Sequence, residues 1–230
     1  MRGLTSIGKS YRPVRIQVLD WRPAAILVSF RAPEALRRFP DPQEKTMNIT
    51  VIGRGNIGGG LADLWERAGH KVERLGRGGG DAGAADAVLI AVPGDAVQAA
   101  LSSVTGLSGK TVLDATNLYG EVKPPAGFGS NAEYVKSVTG GPTAKVFNTN
   151  IAALYPQIAD ARARPSNLWS GDEEARRVVE QLNTDAGYEA VRLGDLSQAA
   201  TQESIAHAII AIAQNGLGAF VYRMATPEQL

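Results

Sequence analysis

The chain contains no cysteine, which excludes disulfides, thiolate nucleophiles and Cys-ligated zinc or iron–sulfur sites. Histidine is nearly as scarce. His70 and His207 are the only two in 230 residues, too few for a His-built metal cage. No apolar run approaches the ~20 residues that span a bilayer; the longest candidate, residues 208–213, is bounded by His207 and Gln214. Net charge is only +1, so no general nucleic-acid surface is expected. No lysine follows Lys145 and no internal repeat is visible. With 44% hydrophobic and 20% charged residues, the composition is that of a globular protein, expected to be cytoplasmic.

The charge is unevenly placed. Residues 1–46 hold nine Lys/Arg against four acids, a balance of +5 that leaves −4 for the remainder. Pro13, Pro23, Pro33, Pro40 and Pro42 interrupt this segment, and no repeating apolar pattern organises it. It is expected to be a disordered or non-native extension, with Met47 as the functional start. Two further domain assignments follow: 47–150 as a dinucleotide-binding domain, and 151–230 as an extension packing on the same body at the acceptor side.

The most informative stretch is Gly53-Arg54-Gly55-Asn56-Ile57-Gly58. It follows the apolar run Ile49-Thr50-Val51-Ile52 and opens a helix-like run at 57–69. Strand, G-x-G-x-x-G, helix is the order a dinucleotide turn needs. The first glycine permits the tight turn, the second lets a pyrophosphate approach the backbone, and the third lets helix and strand pack closely. The anion then meets unpaired N–H groups at the positive end of the helix dipole.

Further along, alternating elements predict an α/β fold: a doubly wound, Rossmann-type parallel sheet closed by a long helix over 196–224. Strands are expected near 71–75, 87–92, 111–116, 144–147, 167–170 and 188–193, with helices near 95–103, 131–138 and 172–186. Only about eleven residues separate the second and third strands, so the fold is read as trimmed there. The apolar face of the last helix, through Ile205, Ile209, Ile212 and Leu217, either closes the core or pairs with a second subunit in a homodimer.

An NAD-specific turn places Asp or Glu at the end of strand two. Here Leu75-Gly76-Arg77 offers a cation instead, and Arg54 offers a second. Two guanidiniums suit a 2′-phosphate, so NADP is expected over NAD. Tyr119-Gly-Glu-Val-Lys123 has the Y-x-x-x-K spacing of short-chain dehydrogenases, but Gly120 and Pro124-Pro125 oppose the helix that chemistry requires. His207 is expected to be packed or groove-facing, His70 solvent-facing after the Gly69 cap, and Trp65 in the core. Asp172-Glu173-Glu174 reads as a helix start rather than a metal site.

The glycine turn, Gly69-His70, Gly76-Arg77 and Ala85-Asp-Ala-Val-Leu-Ile-Ala-Val-Pro93 together resemble the coenzyme F420-dependent NADP reductase family. So do Leu113-Asp114-Ala115-Thr116-Asn117, Lys145-Val146-Phe147-Asn148-Thr149 and Gly194-Asp195-Leu196-Ser197-Gln198-Ala199. The resemblance covers roughly 47–220. It implies NADPH on the glycine turn, a 2′-phosphate near Gly76 and Arg77, and a nicotinamide near Ala91-Val92-Pro93. A deazaflavin, F420, would lie near Asn148-Thr149-Asn150, with direct hydride transfer between the two rings. The chain departs from characterised archaeal members at Asn148, where they carry His. Such transfer needs positioning more than acid–base groups. Asn148 and Thr149 are the candidate positioning residues, and Asn117 a candidate contact to coenzyme or acceptor. Flavin, quinone or ferric-chelate acceptors, and a non-catalytic NADP sensor, are the competing functions.

Overall fold

The computed structural model describes residues 46–158, 161 and 163–229. The expectations for residues 1–45 lie outside the described residues. Seven strands form one sheet, and the chain winds over both of its faces.

The first strand, β1 (Asn48–Ile52), leads into α1 (Asn56–Arg67) and returns as β2 (Lys71–Leu75). A two-residue strand β3 (Gly80–Asp81) precedes β4 (Ala87–Ile90). Then come α2 (Val97–Ser102), the short β5 (Val104–Thr105) and β6 (Thr111–Asp114). After a long loop follow α3 (Asn131–Thr139), β7 (Thr143–Val146) and the single turn α4 (Tyr155–Ile158). The chain ends with β8 (Ser166–Gly171), α5 (Arg176–Asp185), β9 (Glu189–Gly194) and α6 (Ala199–Ile212). The sheet order is β2-β1-β4-β6-β7-β8-β9, and β3 pairs with β5 separately.

The first five strands of that order run parallel, so each link between them crosses back over the sheet. The sheet is mostly parallel, as expected, with one antiparallel junction toward its edge: β8 pairs antiparallel to β7, and β9 is parallel to β8. The loop and single turn after β7 reverse the chain without a full crossover helix, so β8 re-enters from the opposite end.

Alternation along each strand feeds two cores. Ile49 and Val51 of β1, Leu89 of β4 and Leu113 of β6 join Leu61, Trp65, Val179 and Leu182 on one face. Ile52, Val88, Ile90 and Val112 point the other way, against Val97, Leu101 and Val135. A side-chain period of two on strands buried on both faces produces this division. Trp65 is fully buried, as expected, and its indole N–H donates to the Leu182 carbonyl at 2.9 Å, tying α1 to α5.

Two expectations are corrected. His70 is buried, 7% exposed. Its Nδ1 accepts from the Met47 N–H at 3.1 Å, and its Nε2 meets Asp185 at 2.8 Å. Gly69 adopts φ +95° and turns the ring inward between the start of β1 and the end of α5. The final helix also stops early. It passes through a wide turn over Ala213–Leu217 and breaks where Gly216 and Gly218 take φ +113° and +72°. The tail then runs extended beside the first half of β8, where the Ser166 N–H donates to the Tyr222 carbonyl at 2.8 Å and the Met224 N–H to Ser166 Oγ at 2.8 Å. Among the described residues no helix is long and apolar enough to cross a membrane.

Candidate functional site

At the carboxyl end of β1 the chain makes the turn that the glycines foretold. Gly53 sits at φ +113°, and a Cβ there would lie 2.2 Å from the Ala91 carbonyl oxygen. Its N–H donates to the Leu75 carbonyl at 3.0 Å, which joins the ends of β1 and β2. A Cβ on Gly58 would lie 2.2 Å from the Gly53 oxygen, so α1 can approach the turn only if this residue has none. Gly55 differs. It precedes α1 at φ −75°, ψ −171° with no side-chain cap, and a Cβ there would meet nothing within 4 Å. The N-terminal turn of α1 therefore lacks the capping side chain that usually occupies its first amides, and the space over Gly55 is open.

Two cavities flank this turn. One, of about 780 Å³, is lined by Gly53, Arg54, Gly76, Arg77, residues 91–93 and Ser103 among others. The second, of about 500 Å³, is lined by Asn56, Ile57, Thr116, Asn117, Tyr119 and Val122, and shares Gly55 and residues 91–93 with the first. Side by side about that shared wall, they make up a trench along the carboxyl edge of β2, β1, β4 and β6, where open parallel sheets bind ligands.

Cations gather at the β2 end of the trench. Arg54 Nε and Nη2 both donate to the Arg74 carbonyl, at 3.1 and 2.7 Å. That clasp lays the guanidinium against Gly76, where a Cβ would lie 3.4 Å from Arg54 Nε. Arg77 is exposed on the same rim. No acid follows Leu75 before Asp81.

At the opposite end the predicted positioning residues are placed differently from Asn117. Asn117 lines the second cavity, while Asn148 and Thr149 line neither cavity. Asn117 Nδ2 donates to the Asn148 carbonyl, and Asn148 Nδ2 to Asn117 Oδ1, both at 2.9 Å. Gln202 Nε2 donates to Asn148 Oδ1 at 2.6 Å. Thr149 Oγ1 and the Tyr222 hydroxyl are 2.7 Å apart. Asn148 and Thr149 are thus buried supports beneath the floor.

Phe147 makes this bracket possible. It holds φ +62°, the only non-glycine residue with positive φ among those described, a conformation that costs about 1–3 kcal/mol. Its ring is fixed edge-on between Trp65 and Tyr188, with centroids 5.6 and 6.5 Å away. Below the same floor Lys145 Nζ bonds Glu203 at 2.6 Å and Asp114 at 3.0 Å, all three buried. Asp114 also accepts the Thr116 N–H at 2.9 Å, so the ion cluster shapes the loop that enters the trench.

Several wall residues were not among the site residues expected from sequence, and Tyr119 is the chemically notable one. Tyr119 lines the second cavity and is 49% exposed. The loop carrying it is not helical, and residues 120–121 form a turn, so no helical face joins it to Lys123. His207 lies against it, ring centroids 5.3 Å apart and tilted 40°, and bonds the Leu118 carbonyl at 2.8 Å through Nε2. Partial burial raises the Tyr119 phenol above its ordinary range; a hydrogen bond from Asn117 and the charge of Lys145 oppose that rise, and Glu203 adds to it. The two aromatic partners stand 88 positions apart in the chain, so no local motif could have paired them.

The fold is shared with known structures. A candidate F420-dependent NADP reductase from Arthrobacter sp. FB24 superposes with TM-score 0.65 at 22% identity, covering 78% of this chain and all of that one. A hypothetical protein from Sinorhizobium meliloti matches with TM-score 0.52 at 26% identity, covering 67% of this chain and 88% of its own. A reductive aminase from Aspergillus terreus, solved with NADPH and ethyl levulinate, matches with TM-score 0.50 at 18% identity, covering 74% of this chain; the match spans 61% of that longer protein. No protein-family model matches the chain, and no curated protein matches it in sequence. The architecture is Rossmann-type.

Proposed function

We propose that the protein is an NADP-dependent oxidoreductase that transfers hydride between the nicotinamide and a small planar acceptor, with F420 the first candidate. The observation that carries this reading is the pair of adjoining cavities, which share Gly55 and residues 91–93 as a common wall. Their combined length, the uncapped amides of α1 and the space over Gly55 fit an extended dinucleotide. The acid-free end of β2, with Arg54 and Arg77, fits the phosphate that distinguishes NADP from NAD.

When bound, the coenzyme supplies the two-electron hydride chemistry. The protein's residues bind and orient. The α1 amides take the pyrophosphate. Gly76, Arg77 and Arg54 take the adenosine end. Ala91, Val92 and Pro93 give the apolar surface along which the nicotinamide end lies, and Asn117 fixes the floor beyond it. Asn148 and Thr149 act through that floor: the paired amides of Asn117 and Asn148 hold the loop rigid. The likeness to the Arthrobacter protein supports F420 as the first acceptor to test.

The test is isothermal calorimetry with NADPH and NADH, followed by NADPH oxidation with F420, FMN, a quinone and a ferric chelate in parallel. Binding of NADPH with turnover on F420 supports the reading in full. Tight NADPH binding without turnover on any acceptor would make the protein a nucleotide sensor. No heat with either coenzyme would refute it.

A further inference from the structure

We propose that Tyr119 is the proton donor to the hydride acceptor, and that His207 is its positioning residue. The proposal rests on the functional reading above and narrows it. It commits the site to acceptors with a polarised double bond, C=N or C=O or their conjugated equivalents, rather than to electron acceptors such as ferric chelates.

The nicotinamide half of the trench is walled mostly by backbone, apolar side chains and amides. Only two of its lining side chains carry a titratable proton, Asp95 and Tyr119. Asp95 sits exposed in the first turn after Pro93, whereas Tyr119 is half-buried in the wall. Tyr119 keeps its proton, because partial burial moves its phenol upward. The groups facing it are mixed: Lys145 from β7, Glu203 and His207 from α6, and the Asn117 amide from its own loop. Lys145 and Asn117 favour the phenolate that forms on donation, and Glu203 opposes it. A donor needs both properties: protonated at rest, and supported once the proton has left.

Position is the second requirement. Loop 118–130 has no helix or strand to hold it before α3. His207 supplies an anchor from α6, bonding the Leu118 carbonyl and backing the Tyr119 ring. Asn117 on the other side is locked to Asn148. The phenol is therefore fixed from both neighbours while half its surface remains open to the cavity and to water.

Hydride arrives at the acceptor's carbon and forms a C–H bond. The π pair of the C=X bond moves to X, which takes the Tyr119 proton and forms X–H. The acceptor gains two electrons and the nicotinamide loses them. The phenolate recovers its proton from water at its exposed edge.

Two readouts test this. Tyr119→Phe keeps the ring and removes the proton. It should leave NADPH affinity unchanged and lower kcat on F420 or a conjugated carbonyl about 100-fold, with loss of the alkaline limb of the pH profile. His207→Ala should lower kcat by about tenfold or more with little change in KM, and His207→Gln, which can still donate to Leu118, should recover part of it. Unchanged kcat in Tyr119→Phe overturns the proposal while leaving the NADP reading intact.

The second readout needs no turnover. Tetranitromethane should nitrate Tyr119, and the nitrophenol titrates near neutral pH with a visible band. The difference between nitrated wild type and nitrated Tyr119→Phe isolates it. Bound NADP+, with its cationic ring, should lower that midpoint by about one pH unit relative to bound NADPH. An equal midpoint with both forms, or no nitration at Tyr119, overturns the proposal. If neither coenzyme binds, the functional reading falls first and this one with it.

Discussion

A methyl group at Gly55 should separate stability from coenzyme binding. Alanine is comfortable at φ −75°, ψ −171°, and the added Cβ would meet no atom of the protein within 4 Å. Gly→Ala at such a position reduces the freedom of the unfolded chain, worth about 0.4–1 kcal/mol, which offsets the poorer capping of an N-cap alanine, so Tm should stay within roughly 4 °C of wild type. The same methyl projects into the space where the pyrophosphate would lie. Crowding a packed contact costs about 1–3 kcal/mol, so Kd for NADPH should rise roughly 5- to 150-fold. Gly53→Ala is the control with the opposite pattern. Its φ of +113° alone costs about 1–3 kcal/mol, and its Cβ falls 2.2 Å from the Ala91 carbonyl oxygen, which must move. That variant should lose several degrees of Tm before binding is considered. Thermal melts paired with calorimetry decide the matter. A Gly55→Ala protein that melts normally and binds NADPH as tightly as wild type would refute the placement of the pyrophosphate, and with it the reasoning from open space to ligand.

Arg77→Ala should weaken NADPH about tenfold or more while changing NADH less than about twofold; equal weakening by calorimetry would count against recognition of a 2′-phosphate. Lys145→Met should destabilise by about 3–5 kcal/mol, because Asp114 and Glu203 would be left buried without their cation. Adding Glu203→Gln should recover part of that loss in urea melts, and a single variant as stable as wild type would contradict the buried cluster. Tyr155, Tyr188 and Tyr222 are all raised, chiefly by burial. The folded protein then keeps phenol protons that the unfolded chain releases, so their contribution is complete below the ordinary phenol value of about 10 and falls as pH climbs above it. Urea midpoints should therefore drop steeply above that pH, and a midpoint that stays flat into strong alkali would count against these burials.

What could be read from sequence was what is local. The glycine turn needed only six contiguous residues between an apolar run and a helix, and it lies where expected because Gly53 and Gly58 each answer to a neighbour across the same turn. The strand runs and α1, α2, α3 and α5 were visible through periodicity for the same reason. The misplaced features depend on distant partners. His70 is buried by Asp185, 115 positions away. Tyr119 acquires its setting from His207, and Asn148 is consumed by Asn117 and Gln202. The early end of α6 was marked by Gly216 and Gly218, but no propensity says where the tail goes afterwards; Ser166 settles that by offering an N–H and a hydroxyl that β7 leaves free.

The short link between β2 and β4 has a structural consequence for the trench. With no helix between them, the chain must still reach β4, and it does so by a ribbon in which Gly80 and Asp81 pair with Val104 and Thr105. That pairing needs close approach: a Cβ on Gly79 would stand 1.8 Å from the Ser103 carbonyl oxygen. Ser103 in turn lines the cavity at the β2 end with Gly76, Arg77 and Ala99. The ribbon thus walls the cavity on the side where a longer fold would place another strand and helix. Under the proposed function, specificity there would fall to the few groups that remain, which are Arg54, Arg77 and Ser103. Of these, Arg54 is already clasped to Arg74 by two of its donors, which fixes its plane before any ligand arrives. A preordered guanidinium loses little further freedom on binding, so under the proposed function the trimmed edge would hold an anionic ribose phosphate with fewer residues than the full fold would bring to it.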